Sequence, residues 1–171
     1  MTALATVATP CGPFTVMVRG NSVVASGWTA DPALLLAPLA PARRPAEWDV
    51  RPELGPFTRA ITRYFAGDVA AIDAVVVEQH SGAFTEAAWR ALRDVTAGET
   101  VSYQELAGLA GRPAAVRAAG RACGTNAAAL FVPCHRARRS DAGLGGFRWG
   151  LATKRWLLDY EAGVAGRTIR L

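Results

Sequence analysis

Cysteine and histidine are scarce in this 171-residue chain, which has three cysteines and two histidines. A small, odd number of cysteines argues against a disulfide framework and favours reduced thiols in a cytoplasm. Neighbouring ligands such as Cys134 and His135 seldom bind one ion. The other thiols and imidazole, Cys11, Cys123 and His80, show no paired ligand spacing. We therefore expect no metal site and no cofactor.

The sequence also lacks long apolar runs and a leader pattern. No stretch is long and apolar enough to cross a membrane, and "MTALATVATPCGPF" has neither a basic n-region nor a clear apolar h-region. These features predict no signal peptide, no membrane partner and a cytoplasmic, nucleoid-associated protein of bacterial type. The length suits one domain or two small ones.

Acidic residues are nearly absent from one segment. Residues 1–111 carry a net charge of −3, whereas residues 112–155 hold nine basic residues against Asp141 alone, a net charge of +8. Concentrated positive charge is typical of a surface that binds a polyanion. A solvated basic surface without a partner explains the charge equally well at this point.

The first part of the chain has the pattern of a small α+β unit. The runs "PFTVMV" and "SVVASGW" are strand-like and are separated by "RGN", a hairpin turn. Residues 31–50 are rich in Pro and Ala and predict a loop. The segment "GPFTRAITRYFAG" has apolar residues at helical spacing, and "AIDAVVVE" is a strand candidate. We place a domain boundary near "EQHSGA", giving domains 1–80 and 81–171.

The second part is predicted to be mostly helical. Phe84, Ala88, Leu92 and Val95 form one helical stripe. In "SYQELAGLAG", Ser102 can cap the helix while Glu105 reaches back in a capping box. The segment "AAVRAAGRACG" follows after "GRP", and two short helices joined in this way resemble a helix-turn-helix. The last helix, "LATKRWLLDYE", is expected to turn Leu151, Trp156 and Leu158 inward.

The second short helix is nearly all small residues, apart from Val116, Arg117 and Arg121. A helix with such small side chains can approach another surface closely. Tight packing in the core would explain the small residues by itself. The arginines favour an exposed helix, because an unpaired arginine is rarely buried.

Cysteine and histidine stand side by side in "FVPCHRARRSDAGLGG". A thiolate is a strong nucleophile, a histidine can take up the thiol proton, and a carboxylate can orient the histidine. Adjacent side chains usually point apart, so a water could bridge Cys134 and His135. The downstream carboxylates are Asp141, Asp159 and Glu161. For a bare Cys-His dipeptide, a buried structural cysteine beside a surface histidine is the commoner arrangement.

Five sequence segments, in order along the chain, favour a functional cysteine over a structural one. "VPCHR" with "GLGGFRWGLATKRWLLDYE" closely resembles the active-site region of the O6-alkylguanine-DNA alkyltransferases, the methylated-DNA–protein-cysteine methyltransferases. The resemblance extends upstream through "GETVSYQELA", "RPAAVRAAG" and "GTN", and it covers residues 84–161. It implies an α+β fold: an N-terminal domain with a ribonuclease H-like three-stranded antiparallel sheet and a helix, and a mostly helical C-terminal domain with a helix-turn-helix.

The resemblance also implies DNA repair by direct damage reversal. An O6-alkylguanine is flipped out of duplex DNA, and its alkyl group moves irreversibly to Cys134 in a single turnover. His135, acting through a water, would keep the thiolate, and Glu161 would orient His135. Tyr103 would donate a proton or hydrogen bond to the leaving guanine, and Asn126 would brace the active-site turn. Arg117 would fill the gap left by the flipped base.

Two further sets of residues are carried over from the resemblance. The positions expected to face DNA, besides Arg117, are Gln104, Arg112, Ala118, Gly120 and Ser140. The positions expected to line the substrate pocket, besides Tyr103, are Val132, Ala137, Phe147 and Arg148.

This chain departs from the usual family pattern near the motif. It reads "HRARRSD" where an apolar pair commonly follows "HR", and Phe147 replaces a common tyrosine. Ala137 narrows one pocket wall, and the arginines after His135 are expected to face the DNA backbone. The departures leave the range of accepted alkyl sizes open.

Three other functions remain open on sequence grounds. A lesion-binding module would bind without repair, a helix-turn-helix regulator would prefer one undamaged sequence, and a cysteine hydrolase would turn over repeatedly. The expected partner is double-stranded DNA containing O6-alkylguanine, with O4-alkylthymine as a further candidate. The protein is expected to be a monomer that can assemble cooperatively on DNA.

Overall fold

A computed structural model describes residues 1–166 of the chain. These residues form two compact units. The first contains Met1–Gln79 and Ala127–Phe131, and the second contains His80–Asn126 and the described residues from Val132 onward. Independent folding of each part as a domain, as the predicted boundary at residues 80 and 81 implies, stays a prediction.

The first unit is built on a four-stranded sheet. Its strands are β1 (Thr2–Thr9), β2 (Gly12–Arg19), β3 (Ser22–Gly27) and β4 (Asp49–Val50), in the order β3-β2-β1-β4. The pairs β1–β2 and β2–β3 are antiparallel, whereas β4 pairs parallel with β1. Apolar residues from β1, β2 and β3 are buried together with Ile61 and Tyr64, so the core of this unit lies between the sheet and a helix.

The helices of this unit are α1 (Ala33–Leu36), a 3-10 turn (Pro41–Arg43) and α2 (Pro56–Phe65). Helix α2 agrees with the sequence prediction. The loop predicted over residues 31–50 is wrong in part, because it contains α1, the 3-10 turn and β4. The predicted three-stranded antiparallel sheet omits the parallel β4.

One strand of this unit was missed by the sequence analysis, and one was predicted where the structure has none. Strand β1 was not predicted, because its small alternating Ala and Thr residues carry a weak apolar signal. "AIDAVVVE" is not a strand but a series of turns, in which the N–H groups of Asp73 and Val75 donate to carbonyls three residues back. Those local bonds leave only one bridge, between Val77 and Val23, to the sheet.

The second unit is mostly helical, as expected. Its elements are α3 (Ala83–Asp94), β5 (Val101–Ser102), α4 (Tyr103–Leu109), α5 (Val116–Gly124), a 3-10 turn (Cys134–Arg136), β6 (Ala137–Arg138) and α6 (Leu151–Val164). Strands β5 and β6 pair in parallel. Within residues 1–166 no helix is both long and apolar enough to span a membrane.

The start of α4 confirms the predicted capping box. The hydroxyl of Ser102 accepts from the N–H of Glu105 at 2.9 Å, and the Glu105 carboxylate accepts from the N–H of Ser102 at 3.2 Å. Two donors that a helix start leaves without partners are thereby satisfied. The cap fixes the position of the first residue of α4, Tyr103.

Helix α6 agrees in part with its predicted orientation, since Leu158 is buried and Trp156 is half-buried. Leu151 is 51% exposed, whereas Leu157 and Leu158 are buried. The buried stripe also includes Lys154 and Glu161, which lie two helical turns apart. The prediction is wrong for Leu151, because the buried face of the helix is formed by Lys154, Leu157, Leu158, Glu161 and Ala162 instead.

Candidate active site

The chain before Cys134 leaves the second unit and returns to it. Residues 127–131 belong to the first unit, where Ser26 bonds through its N–H to Ala127 O and through its hydroxyl to Ala129 O, each at 2.8 Å. In the second unit, the Asn126 side-chain amide donates to Val132 O at 2.8 Å. This hydrogen bond therefore joins Asn126 and Val132, the two residues that flank segment 127–131, directly before Cys134.

Cys134 begins the 3-10 turn and is 7% exposed. Its N–H donates to Val132 O at 2.8 Å. Burial raises the pKa of the Cys134 thiol, while a hydrogen bond from Asn126 and the charge of Lys154 act to lower it. The site therefore supplies partners for the thiolate, although burial favours the neutral thiol.

His135 is wholly buried and is held by a carboxylate. Its Nε2 lies 2.7 Å from Glu161 Oε1. Burial lowers the pKa of His135 despite the opposing effect of Glu161, so the imidazole is neutral near pH 7. A neutral ring facing a carboxylate carries its proton on Nε2, which leaves Nδ1 as the base. Nδ1 is buried without a hydrogen-bond partner among the described residues.

Arg136 completes this buried cluster. Its Nε donates to Glu161 Oε2 at 2.9 Å and its Nη2 to Glu161 Oε1 at 2.8 Å, while Nη1 donates to Val95 O at 2.7 Å. Burial acts to raise the pKa of Glu161, but the hydrogen bonds from His135 and Arg136 and the charge of Arg136 outweigh it and hold that pKa well below its usual range. Glu161 is therefore the orienting carboxylate among the three candidates.

The other two candidate carboxylates lie elsewhere. Asp159 is exposed on α6, and Asp141 forms an exposed ion pair with Arg139 at 2.9 Å. Sequence reasoning missed Arg136, although it is part of the motif. Its partners lie 25 and 41 residues away in sequence, so no local pattern indicates them.

Tyr103 and Lys154 lie near the cysteine. Burial raises the pKa of Tyr103 to about 12, so the phenol stays protonated and can donate a proton or hydrogen bond. Lys154 is fully buried, and its Nζ donates to Ala137 O at 2.7 Å and to Gly146 O at 3.2 Å. The same Nζ lies 5.9 Å from the centre of the Tyr103 ring. Sequence reasoning also missed Lys154.

The loop after β6 packs against Tyr103. Gly145 has φ +72°, and a Cβ added there would lie 2.3 Å from the Tyr103 hydroxyl oxygen. Only glycine fits this position without displacing the tyrosine. The loop and the tyrosine therefore form one wall of the site.

The predicted pocket residues occupy two environments. Val132 and Ala137 are buried, with Ala137 accepting the bond from Lys154. Phe147 is half-buried, and Arg148 is exposed with its guanidinium 4.7 Å from the centre of the Trp149 ring. The structure thus brings Ala137 to the cysteine cluster, while the pocket roles of all four stay predictions.

The candidate DNA-binding residues lie on α4, on α5 or between these helices, except Ser140, which lies in the loop after β6. Arg117, Arg112, Gln104 and Ser140 are exposed. The remaining two, Ala118 and Gly120, are half-buried. Their roles in DNA binding stay predictions.

Helix α5 is thin on one side and packed on the other. Ala119 and Ala122 are buried, and the Trp89 indole donates to Ala122 O at 2.8 Å. A Cβ built on Gly120 would meet nothing within 4 Å. The open side therefore leaves the helix backbone accessible beside Arg117.

The expectation for the arginines after His135 is mostly wrong. Arg136 is buried in the ion pair with Glu161, and Arg138 is only 9% exposed. Arg139 alone is exposed. Buried guanidinium groups of this kind are held by carbonyl or carboxylate oxygens, which the sequence pattern does not reveal.

No group of three or more His, Cys, Asp or Glu side chains within residues 1–166 is placed to hold a metal ion.

Sequence comparison finds relatives that cover most of the chain. A family model described as "6-O-methylguanine DNA methyltransferase, DNA binding domain" matches residues 83–163. The chain is 35% identical over 159 residues to the methylated-DNA–protein-cysteine methyltransferase of Mycobacterium bovis, covering 91% of this chain and 90% of that protein.

Other relatives are matched over only part of their length. The chain is 51% identical over 80 residues to the Escherichia coli "Bifunctional transcriptional activator/DNA repair enzyme Ada", covering 47% of this chain and 23% of Ada. It is 40% identical over 118 residues to the methylated-DNA–protein-cysteine methyltransferase of Haemophilus influenzae, covering 67% of this chain and 66% of that protein. The chain therefore spans under a quarter of Ada and just under two thirds of the Haemophilus protein.

Solved structures give the same relationship. The Mycobacterium tuberculosis O6-methylguanine methyltransferase superposes with a TM-score of 0.77 at 30% identity, covering 95% of this chain and 94% of that chain. The M. tuberculosis OGT crystallised in complex with DNA gives a TM-score of 0.79 at 30% identity, with the same coverage. These likenesses confirm the mixed α/β fold.

Proposed function

The chain belongs to the O6-methylguanine-DNA methyltransferase family, and from this premise we propose that it repairs alkylated DNA by direct reversal. In this proposal it binds duplex DNA containing O6-alkylguanine and transfers the alkyl group to its own Cys134. Each molecule reacts once. The relatives' names and the DNA complex of the mycobacterial neighbour support the reaction and the partner.

One observation carries the proposal more than any other. The buried 2.7 Å contact between His135 Nε2 and Glu161 Oε1 leaves Nδ1 as the basic atom of the residue next to Cys134. Burial keeps the Cys134 thiol neutral, so nucleophilic catalysis requires a base that removes its proton, and His135 is such a base. The Cys134 proton passes to His135 through a water, and Glu161 stabilises the imidazolium that forms.

The transfer is a displacement at saturated carbon. The Cys134 thiolate attacks the alkyl carbon, the S–C bond forms and the C–O6 bond breaks. The electron pair goes to the guanine, which takes up one proton as it leaves. Tyr103 donates that proton or a hydrogen bond in this proposal, which is supported by the raised pKa that keeps its hydroxyl protonated. The product is a thioether, which an activated water does not hydrolyse, so no turnover follows.

Extrusion of the base requires DNA contacts from α4 and α5, which we propose act as a helix-turn-helix. A base inside the stack cannot reach a buried sulfur, and flipping it costs a few kcal/mol. The exposed Arg117 fills the gap, and the open side of α5 at Gly120 enters the narrow minor groove. Arg112, Gln104 and Ser140 bind nearby backbone atoms, since all three are exposed.

The remaining expectations extend this proposal. The sheet of the first unit is ribonuclease H-like, and the protein is a cytoplasmic monomer that assembles cooperatively on DNA. O4-alkylthymine is a further candidate substrate. Val132, Ala137, Phe147 and Arg148 line the pocket around the alkyl group.

A stoichiometric titration tests the proposal. A duplex with one O6-methylguanine is incubated with increasing amounts of protein, and the restored guanine is measured by nuclease cleavage that methylation blocks. We expect one guanine restored per protein molecule and none with Cys134→Ser. Repeated turnover would indicate a hydrolase, and tight binding without restoration would indicate a lesion-binding module.

A further inference from the structure

Lys154 is the only lysine among the 19 lysine and arginine residues of the chain. It lies on α6 and is fully buried. Burying a charged side chain is costly unless an opposite charge and hydrogen bonds compensate for the loss of water. No ion pair within residues 1–166 includes Lys154, so its charge has no carboxylate partner there. Its burial therefore requires another acceptor.

Hydrogen bonds hold the ammonium group of Lys154 beside the turn that begins with Cys134. Helix α6 packs against this 3-10 turn. Directly after the turn, the N–H of Ala137 donates to Cys134 O, and Ala137 O accepts from Lys154 Nζ at 2.7 Å. The same Nζ donates to Gly146 O at 3.2 Å. An ammonium group has three N–H donors, so these two bonds leave one donor for a further acceptor beside the turn.

A thiolate of Cys134 is the acceptor that fits this position. Burial raises the pKa of the Cys134 thiol, while a hydrogen bond from Asn126 and the charge of Lys154 oppose that effect. Cys123 also interacts with the charge of Lys154, but burial raises the pKa of its thiol well above the usual value, and no hydrogen bond from the described residues opposes this. Arg138 acts on Lys154 as a like charge. Of the two thiols that act on Lys154, Cys134 is therefore the one that ionises.

The other ionisable groups around Cys134 do not supply its counter-charge. Tyr103 stays protonated, because burial raises its pKa to about 12. His135 is neutral near pH 7, because burial lowers its pKa. Arg136 and Glu161 form an ion pair at 2.8 Å and balance each other. The cation that acts on the thiol is therefore the lysine of α6.

Resting on the proposed function, we propose that Lys154 is a positioning residue that stabilises the Cys134 thiolate as its buried counter-ion, while His135 serves only to move the proton. The proton leaves the sulfur for His135 through a water, and the negative charge that stays on the sulfur is balanced by the ammonium group. Lysine suits this position because its compact ammonium directs three donors to two carbonyl oxygens and one sulfur, whereas the guanidinium of arginine is a planar fork.

The single lysine permits a test that leaves Lys154 itself unchanged. Protein labelled with carbon-13 lysine gives one side-chain NMR signal, and its pH titration measures the pKa of Lys154. We expect this pKa to be lower by about 1–2 units in Cys134→Ser, which supplies no anion, the equivalent of one charge-assisted hydrogen bond. Cys123→Ser is the matched control and should keep the wild-type value. Equal pKa values of Lys154 in the wild type and in Cys134→Ser overturn the proposal.

The same coupling is measured from the thiol, because coupling between two groups is reciprocal. The rate of iodoacetamide reaction at Cys134, followed by peptide mass mapping from pH 6 to pH 11, gives the midpoint of thiol ionisation. Lys154→Gln keeps a hydrogen-bond donor but removes the charge, and it should raise the midpoint by about 1–2 units. Arg155→Gln removes a charge from an exposed neighbour on α6 and should leave the midpoint unchanged. A slower reaction of Lys154→Gln with the wild-type midpoint would indicate a purely structural lysine and contradict the proposal.

Methyl transfer from a duplex containing O6-methylguanine separates this proposal from the proposed function. Lys154→Gln and His135→Gln should both slow the transfer at pH 7.5 by about tenfold or more, but only Lys154→Gln should raise the iodoacetamide midpoint. An equal rise of the midpoint in the two variants overturns the division of roles between Lys154 and His135. Absence of transfer by the wild type overturns the proposed function, whereas the two titrations without DNA still decide the role of Lys154.

Discussion

Glu161 connects the two buried basic residues of the acceptor site. Its two oxygens accept from His135 Nε2 and, in a bidentate pair, from Arg136. Arg136 balances the negative charge of the Glu161 carboxylate, so His135 does not have to be protonated to balance it. The ring therefore remains neutral and available as a base, which a lone His-Glu pair in this buried setting would not guarantee.

The lowered pKa of His135 makes folding stability depend on pH. Its ordinary pKa is 6.5 and its folded pKa is lower, so below pH 6.5 the unfolded chain binds a proton that the folded chain does not. The free energy of unfolding is then constant above pH 6.5 and falls below it, by up to about 1.4 kcal/mol per pH unit. Urea unfolding between pH 8 and pH 5 measures this.

Two variants give the control for this prediction. His135→Gln should lose the fall between pH 6.5 and pH 5, because the titrating group is gone. His80→Gln, at the only other histidine and an exposed one, should keep it. The same pH profile in both variants would show that His135 is not the source.

Part of the site could be predicted from the sequence and part could not. Cys134, His135 and Glu161 belong to a recognisable order of residue types, and the structure joins His135 to Glu161 as expected. Arg136 and Lys154 were missed because charged side chains are seldom buried, and their partners are distant in sequence. The signal that could have revealed Lys154 is its spacing of seven residues from Glu161 on one helix.

The loop between β6 and α6 packs against Tyr103 and is bound by Lys154. It is held by the bonds from Lys154 to Gly146 O and from Arg138 to Ala142 O, and Gly145 lies directly against the tyrosine. Ala142 has φ +65°, which is uncommon for a residue with a side chain and indicates that the surrounding bonds impose the loop conformation.

Gly145→Ala tests this contact. A methyl group there would displace the Tyr103 hydroxyl and occupy an unfavourable backbone conformation, so we expect a loss of about 1–3 kcal/mol in stability and slower alkyl transfer. Gly146→Ala is the matched control, because a Cβ at that position meets nothing within 4 Å. Thermal unfolding and the transfer rate measure both. Equal effects of the two substitutions would refute the role of the close contact.

Helix α5 is predicted to help flip the damaged base out of the DNA. We expect Arg117→Ala to slow repair of O6-methylguanine in duplex DNA about tenfold or more, since the inserted side chain offsets part of the flipping cost. Reaction of Cys134 with the free base O6-methylguanine should be unchanged. Arg121→Ala, at another exposed position of α5, removes the same charge and should have the smaller effect. Equal losses with duplex and free base would contradict the role of Arg117.

Elements with strong local signals were predicted well. The capping box at Ser102 and Glu105 and the periodic apolar face of α2 were both confirmed. Strand β1 has a weak signal, and "AIDAVVVE" has strand propensity without a strand partner along most of its length. Strand propensity gives the wrong prediction there, because local hydrogen bonds within the turns replace pairing with a neighbouring strand.

At the scale of the whole molecule, positive charge is concentrated in the segment of the chain that contains Cys134. Residues 112–155 carry a net charge of +8, and three of their nine cations, Arg136, Arg138 and Lys154, are buried. The other six are exposed, and we expect them to attract DNA. The segment 127–131 could not be assigned to the first unit from sequence, because its contacts with Ser26 span about a hundred residues.

The affinity for duplex DNA should therefore decrease with salt. The logarithm of the binding constant is expected to fall linearly with the logarithm of salt concentration, and Arg112→Gln should make the slope shallower by about 1. Arg51→Gln, an exposed arginine of the first unit paired with Asp49, should leave it unchanged. Fluorescence anisotropy with a labelled duplex measures the slopes. Identical slopes in both variants would place the DNA surface elsewhere.

The most direct test of the account is the mass of the intact protein after one reaction. The protein is incubated with a duplex containing O6-methylguanine, weighed, and mapped by peptide. The account predicts that each molecule gains one methyl group, that the group lies on Cys134, and that Cys134→Ser gains none. Bound lesion DNA with an unmodified Cys134, or restored DNA with no change in protein mass, would contradict it.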